Sequence, residues 1–128
     1  MGYYFSRTID ASQRDAIDRV TAALASKGFG VLTTIDVAAT MKAKLGVDLR
    51  PYVILGACNP HFAWRALQAE DKIGTMLPCN VIVSEVSPGV TEIAAVDPVA
   101  SMASIPNPKL AGLADTVRTS LREIVESA

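Results

Sequence analysis

The chain contains two cysteines, Cys58 and Cys79, and an asparagine follows each of them directly, Asn59 and Asn80. Thiolates act as nucleophiles and as ligands for soft metal ions, and a side-chain amide can both donate to and accept from a ligand. We therefore take these four residues as the candidate ligand-binding site. The sequence does not indicate a set of side chains that would hold a permanently bound metal ion. It assigns neither a catalytic residue nor a cofactor.

The segments around the cysteines predict how close they lie. "PYVILGAC" and "CNVIVSEV" have the length and apolar character of strands, and Asn59-Pro60 is a strong helix start between them. If the strands are antiparallel neighbours, both cysteines lie at the same end of the sheet, with sulfurs expected within about 8 Å. A parallel crossover would instead place the cysteines at opposite ends.

Each of these residues also has a purely structural interpretation. Free cysteines at strand ends are often small buried hydrophobic residues. An N-cap role explains Asn59, whereas Asn80 holds a loop or faces a ligand. The positive end of the helix dipole favours the thiolate form of Cys58. No helix follows Cys79, so we expect a normal or raised pKa for its thiol.

Two further kinds of chemistry use the same stretch. Cys58, His61 and Cys79 have the residue types of a three-ligand zinc site with an open fourth position. A nucleophilic pair would need His61, the only histidine, beside a thiol. Only one Cys-x-x-His spacing supports the zinc site, and the chain has no second ligand pair. An exposed histidine in a first helical turn is the simpler interpretation.

The rest of the chain predicts one α+β domain spanning residues 1–128. The pattern indicates an antiparallel sheet of about five strands, with amphipathic helices covering one face. The helices start at Asn and at other capping residues, and the loop "VASMASIPNP" precedes the last helix. Asp97, before Pro98, is interpreted as a turn residue, and Met102 in this loop as a core or lid residue. The expected helix starts are Ser12, Asp36, Asn59 and Asn107.

Composition excludes several classes of protein. The chain has 128 residues, is 50% hydrophobic and carries a formal net charge of -1. It lacks the basic run that nucleic acid or an anionic membrane would require, and no apolar stretch reaches membrane-helix length. Two cysteines without an export signal indicate a cytoplasmic protein in a reducing compartment.

Several motifs together resemble one known family. The stretches "FGVLTTIDV", "KLGVD", "YVILGACNP", "LPCNVIV" and "AAVDP" are similar, in this order, to the bacterial and archaeal family called domain of unknown function 302. The most specific pieces are "GACNP" and "LPCN". The resemblance implies a TBP-like β-α-β4-α topology with extra short helices and a tendency to form dimers. It brings no established reaction, and His61 lies just outside the matching motif.

Two functions from different classes fit these observations. The first is a homodimeric binding module with a small-molecule or soft-metal pocket near the two cysteines. The second is an enzyme that uses Cys58 and Cys79 in thiol redox or sulfur chemistry. The absence of a general base near the thiols favours binding. The homodimer is expected because both faces of the two central strands carry apolar residues.

Overall fold

A five-stranded antiparallel sheet forms the centre of the fold in a computed structural model, which describes residues 2–128. The strands lie in the order β1-β5-β4-β3-β2, so β2 to β5 are consecutive neighbours and β1 pairs with β5. This arrangement confirms the predicted α+β class and antiparallel sheet. The strands are β1 (Tyr4–Asp10), β2 (Gly30–Asp36), β3 (Tyr52–Cys58), β4 (Cys79–Ser87) and β5 (Val90–Val96).

Four helices begin where the sequence predicted that they would. Ser12 Oγ accepts a hydrogen bond from the Asp15 N–H at 3.2 Å, and Asp36 Oδ1 accepts one from the Ala39 N–H at 2.9 Å. Side-chain acceptors of this kind satisfy the unpaired N–H groups of a first turn. The helices are α1 (Gln13–Ser26), α2 (Val37–Leu45), α3 (Pro60–Ala69), α4 (Pro98–Ser101) and α5 (Pro108–Ser127).

Two short helical segments differ from the expected loops. The return from α3 to β4 contains a 3-10 helix, Asp71–Met76, and the segment after β5 contains α4. Asp97 was interpreted as a turn residue, but its carboxylate caps α4 by accepting from the Val99 N–H at 3.0 Å. Asp97-Pro98 has the same Asx-Pro form as the Asn59-Pro60 helix start, so this signal was present in the sequence.

Helices α1 and α5 pack on one face of the sheet and bury the main core. Arg7 Nη1 and Arg19 Nη2 donate to the Ala128 carbonyl oxygen at 3.0 Å and 2.8 Å, which ties the end of α5 to β1 and α1. The largest fully buried side chains of this core include Leu24, Leu55, Ile93, Leu121 and Ile124.

The opposite face of the sheet carries a continuous apolar row. The strand registers pair Ile35 with Ile54, Ile54 with Ile82, and Ile82 with Ala94. The residues that flank Ile54 and Ile82 along their strands belong to the core: Val53, Leu55, Val81 and Val83. Because successive strand residues point to opposite faces, Ile54 and Ile82 point away from the core, and so do their partners Ile35 and Ala94. We call Ile35, Ile54, Ile82 and Ala94 the open-face row.

No helix within residues 2–128 combines the length and the apolar character that crossing a lipid bilayer would require.

Candidate functional site

Both cysteines lie at the same end of the sheet. Strands β3 and β4 are antiparallel neighbours, and Ala57 is the direct partner of Cys79. Cys58 therefore follows one residue beyond the partner of Cys79, at the point where β3 ends and the N-cap of α3 begins. This register confirms the antiparallel alternative and contradicts the parallel crossover. It is the arrangement that a joint site for the two thiols requires.

The two thiols line one cavity, which we call the thiol cavity. Cys58 is half-buried and Cys79 is 8% exposed, and both are free thiols. The cavity has a volume of about 40 Å³. Pockets for drug-sized ligands usually measure about 300–1,000 Å³, so the thiol cavity has room only for an ion or a molecule of a few atoms.

Helices close the thiol cavity above the strand ends. Phe62 and Ala66 of α3 form one wall, and Val117 is among the α5 residues that form another. Pro98 and Met102, at the two ends of the α4 turn, complete the lining. The walls are apolar, so the two thiols, the Met102 thioether and the amide of Asn59 are the polar or polarisable groups of the lining.

Burial changes the protonation of Cys79. Desolvation by the surrounding apolar side chains, together with a smaller contribution from the neighbouring Cys58, raises the pKa of the Cys79 thiol to about 11. A low-polarity environment disfavours the thiolate, and a second negative charge nearby adds repulsion. Cys79 is therefore a protonated thiol at neutral pH. The sequence expectation of a normal or raised pKa for this residue agrees with this direction.

Asn59 uses both ends of its amide for the fold. Its Oδ1 accepts from the N–H groups of His61 and Phe62, at 3.1 Å and 3.4 Å, and so caps α3. Its Nδ2 donates to the Lys27 carbonyl oxygen at 3.3 Å, next to Gly28, whose φ of 82° requires a glycine. Asn59 borders the thiol cavity, but its amide is already engaged in joining the end of α1 to the start of α3.

Asn80 does not join the other three predicted site residues. It follows Cys79 within β4, and successive strand residues point to opposite faces of a sheet. Cys79 belongs to the core, whereas the exposed Asn80 lines a separate concave surface on the open face, beside Tyr52 and Ile82. The grouping of Asn80 with Cys58, Asn59 and Cys79 is therefore corrected. Asn80 is an exposed strand residue. It is neither a lining residue of the thiol cavity nor a loop anchor.

The zinc alternative lacks its third ligand. His61 is exposed in the first turn of α3 and does not line the thiol cavity. Among residues 2–128, no three His, Cys, Asp or Glu side chains are close enough together to hold a metal ion. The combination of Cys58, His61 and Cys79 is corrected accordingly, and the same position removes His61 as a base for a thiol nucleophile.

Sequence reasoning missed two residues that shape the site. Met102 was described only as a core or lid residue, but its side chain lines the thiol cavity with the cysteines. Gly56 lies one residue before Ala57, and a Cβ there would contact Thr33 Oγ1 and lie 2.8 Å from Pro78 Cγ. The signals were a methionine in a long loop and a glycine inside an apolar strand.

The fold and the site define a class: a small α+β protein with an open antiparallel sheet and two free thiols at one end of it. The family model described as "Domain of unknown function DUF302" matches residues 5–128, so the chain belongs to this family. The expected resemblance is confirmed over nearly the full length.

A solved structure supports the same assignment. The chain is similar to the crystal structure of an uncharacterized conserved protein DUF302 from Bacillus stearothermophilus, with 27% identity and a TM-score of 0.91. The match covers 99% of this chain and 98% of that one. No curated protein matches the chain.

Proposed function

We propose that the protein is a homodimeric binding protein whose thiol cavity holds a ligand of a few atoms with affinity for sulfur. The observation that carries this proposal is that Cys58 and Cys79, which are 21 positions apart in the sequence, line one small apolar cavity. Soft metal ions and thiol-reactive groups prefer sulfur donors. The two free cysteines also fit a cytoplasmic protein in a reducing compartment.

Binding is favoured over catalysis because the thiols lack a partner for proton transfer. The lining of the cavity contains no imidazole, carboxylate or amine, and burial keeps Cys79 protonated. The alternative is a thiol redox enzyme, in which Cys58 and Cys79 would form a disulfide and pass two electrons and two protons to an acceptor. The observation that supports this alternative is that the two cysteines lie at the ends of adjacent strands.

Methylmercury is a suitable probe for the cavity because it is small and binds thiols. The reduced protein would be mixed with one equivalent, and bound mercury would be measured by native mass spectrometry. We expect one tightly bound equivalent, lost in the Cys58→Ser, Cys79→Ser double variant. A bulky maleimide should modify the native protein at Cys58 alone. Equal reaction of both thiols with maleimide, or no retained mercury, would contradict a shared cavity.

The same reduced protein and its cysteine variants can distinguish binding from redox catalysis. A redox pair should form the Cys58–Cys79 disulfide reversibly in glutathione buffers, with each cysteine needed for turnover of a disulfide substrate. A binding site should show mercury retention without such turnover. Detection of catalytic turnover that depends on both thiols would favour the enzyme.

The proposed dimer uses the open face of the sheet and its flank. The open-face row begins at Ile35, which is 48% exposed on the edge strand β2. Helix α2 next to it contains no buried residue, and Leu45 at its end is 69% exposed. An exposed apolar surface of this kind is typical of an interface. Lys42 and Asp48 on the same flank neutralise each other in a salt bridge of 3.0 Å, so they add no unpaired charge to an apolar contact with a second copy.

Light scattering on a sizing column tests the dimer. The wild-type chain should give twice the 13.5 kDa monomer mass at micromolar concentration. Ile35→Arg should shift the protein to the monomer, because a charge would be buried at the centre of the contact. Leu67→Arg on α3 is the matched control, since Leu67 is 42% exposed but lies away from this surface. A wild-type monomer would contradict the dimer, and a dimer that survives Ile35→Arg would contradict the surface.

A further inference from the structure

We propose, resting on the proposed binding function, that the ligand of the thiol cavity is a single Cu(I) ion held by three sulfur atoms: Cys58 Sγ, Cys79 Sγ and Met102 Sδ. The three side chains line the same cavity and come from three different elements. Cys58 ends β3, Cys79 begins β4, and Met102 is the C-cap residue of α4. Three elements thus bring soft donors to one small space.

The kind of donor selects the kind of metal. Thiolate and thioether sulfur favour Cu(I), whereas zinc sites commonly add imidazole and Mg²⁺ or Ca²⁺ require oxygen ligands. Within the lining of the cavity, Asn59 is the only residue with an oxygen or nitrogen atom in its side chain. Its amide already bonds to the N–H groups of α3 and to the Lys27 carbonyl oxygen. The sulfur atoms are therefore the donors that the cavity has available for an ion.

Met102 has a packing role, and its sulfur atom adds a second property to that position. It is half-buried and packs against the small cluster of Ala66, Ile73 and Leu110, so its side chain is held between α3 and α5. A leucine would fill a similar volume there, and only the thioether adds a metal donor. The methionine therefore extends a pair of thiols to a set of three sulfurs.

The size of the cavity fits a bare ion. The volume of about 40 Å³ leaves no space for an ion with its full shell of water. Each of the two cysteines releases one H⁺ as its S–Cu bond forms, and the copper leaves the ligands that delivered it. Met102 adds a neutral thioether, so the three-sulfur complex carries a single net negative charge. Copper remains in the +1 state throughout, so the step needs no oxidant or reductant.

Competition with a colorimetric Cu(I) chelator, bicinchoninate, measures the site without oxygen. The reduced protein should remove one equivalent of Cu(I) from the chelator. Met102→Leu, which conserves volume, should weaken Cu(I) binding by at least the roughly 10–100-fold seen when supporting groups of a metal site are removed. Met76→Leu is the matched control, because Met76 is 40% exposed and does not line the cavity. It should bind Cu(I) as the wild type does.

X-ray absorption at the copper edge provides a second readout that does not depend on affinity. We expect three sulfur neighbours in the wild type and two in Met102→Leu, with circular dichroism showing that both proteins are folded. Equal affinity and equal sulfur counts in these two proteins would overturn the role of Met102. Retention of methylmercury without Cu(I) binding would overturn the choice of ion and leave the binding function standing. Loss of both would overturn the two proposals together.

Discussion

The Arg118 Nε atom lies 3.3 Å from Asp97 Oδ2, and this ion pair joins α5 to the N-cap of α4. The Asp97 side chain is only 10% exposed, so removal of Arg118 would leave a largely buried carboxylate without its charged partner. The residues next to the pair, Val117 and Pro98, both line the thiol cavity. The ion pair therefore fixes the α4 turn, and with it Met102, over the two thiols.

Replacement of Arg118 by methionine should destabilise the fold. The Asp97 carboxylate would lose its charged partner, and we expect the free energy of unfolding to fall by about 1–3 kcal/mol. Urea denaturation measures this difference. Lys72→Met is the control, because the pair Lys72–Asp71 is 85% and 87% exposed and should change stability by less than about 0.5 kcal/mol. If both variants lose the same stability, the ion pair has no special role.

The pKa of Cys79 predicts a loss of stability at alkaline pH. In the unfolded chain the thiol releases its proton near its ordinary value of 9.0, while the folded protein retains the proton until about pH 11. The folded state therefore binds more protons in this range, and stability falls as the pH rises from about 9 to 11. Two pH units correspond to roughly 2–3 kcal/mol.

Comparison of the wild type with Cys79→Ala isolates this contribution. Other groups titrate in both proteins, so the difference between their free energies of unfolding is measured at pH 8, 9, 10 and 11. We expect the advantage of the wild type to decrease steadily over this series. A difference that is independent of pH would mean that the folded state does not hold the Cys79 proton.

The two cysteines should differ strongly in alkylation. Cys58 is half-buried and should react with iodoacetamide in the native protein, whereas Cys79 is buried and protonated. The rate at Cys79 should rise about tenfold per pH unit below pH 11, because only the thiolate reacts. Mass spectrometry of Cys58→Ser and Cys79→Ser variants follows each thiol alone. Alkylation of Cys79 at the rate of Cys58 at pH 8 would contradict its burial.

Gly56→Ala should disturb the strand next to the thiol cavity. The new Cβ would meet Thr33 Oγ1 and Pro78 Cγ, and relief of such contacts typically costs about 1–3 kcal/mol. Gly30→Ala is the control, because nothing lies within 4 Å of the position that a Cβ would take there, on the edge strand β2. Thermal unfolding should show a clear loss for Gly56→Ala and little change for Gly30→Ala. A double variant with Thr33→Ala should recover part of the loss, since the contact with Pro78 remains.

The sequence was sufficient for the features that depend on local chemistry. Ser12, Asp36, Asn59 and Asn107 cap helices as predicted, because an N-cap needs only an acceptor side chain and the N–H groups that follow it. These caps involve residues close in sequence. The antiparallel pairing of the strands that carry the cysteines was left open beside a parallel crossover, and the β4 arrangement implied by the family resemblance favoured it.

The predictions that failed concern features that depend on how helices and strands face each other. Asn80 was grouped with Cys79, although strand alternation places consecutive residues on opposite faces. The size of the thiol cavity could not be predicted from the sequence, because its walls come from distant parts of the chain, such as Phe62 of α3 and Val117 of α5. Met102 lines the cavity because helix α4 places it there. The helix start at Asp97 was missed, because this residue was interpreted as part of an ordinary turn.

The walls of the thiol cavity come from positions as far apart as Phe29 and Val117. During synthesis, β3 and β4 with both cysteines leave the ribosome before α5 does, since chains emerge from the N-terminus. Until α5 docks, the two thiols stand at an uncovered sheet end, open to oxidants and to metal ions. A nascent or truncated chain lacking α5 would thus present both cysteines as ordinary reactive thiols, and only the docking of the last helix would enclose them in the cavity.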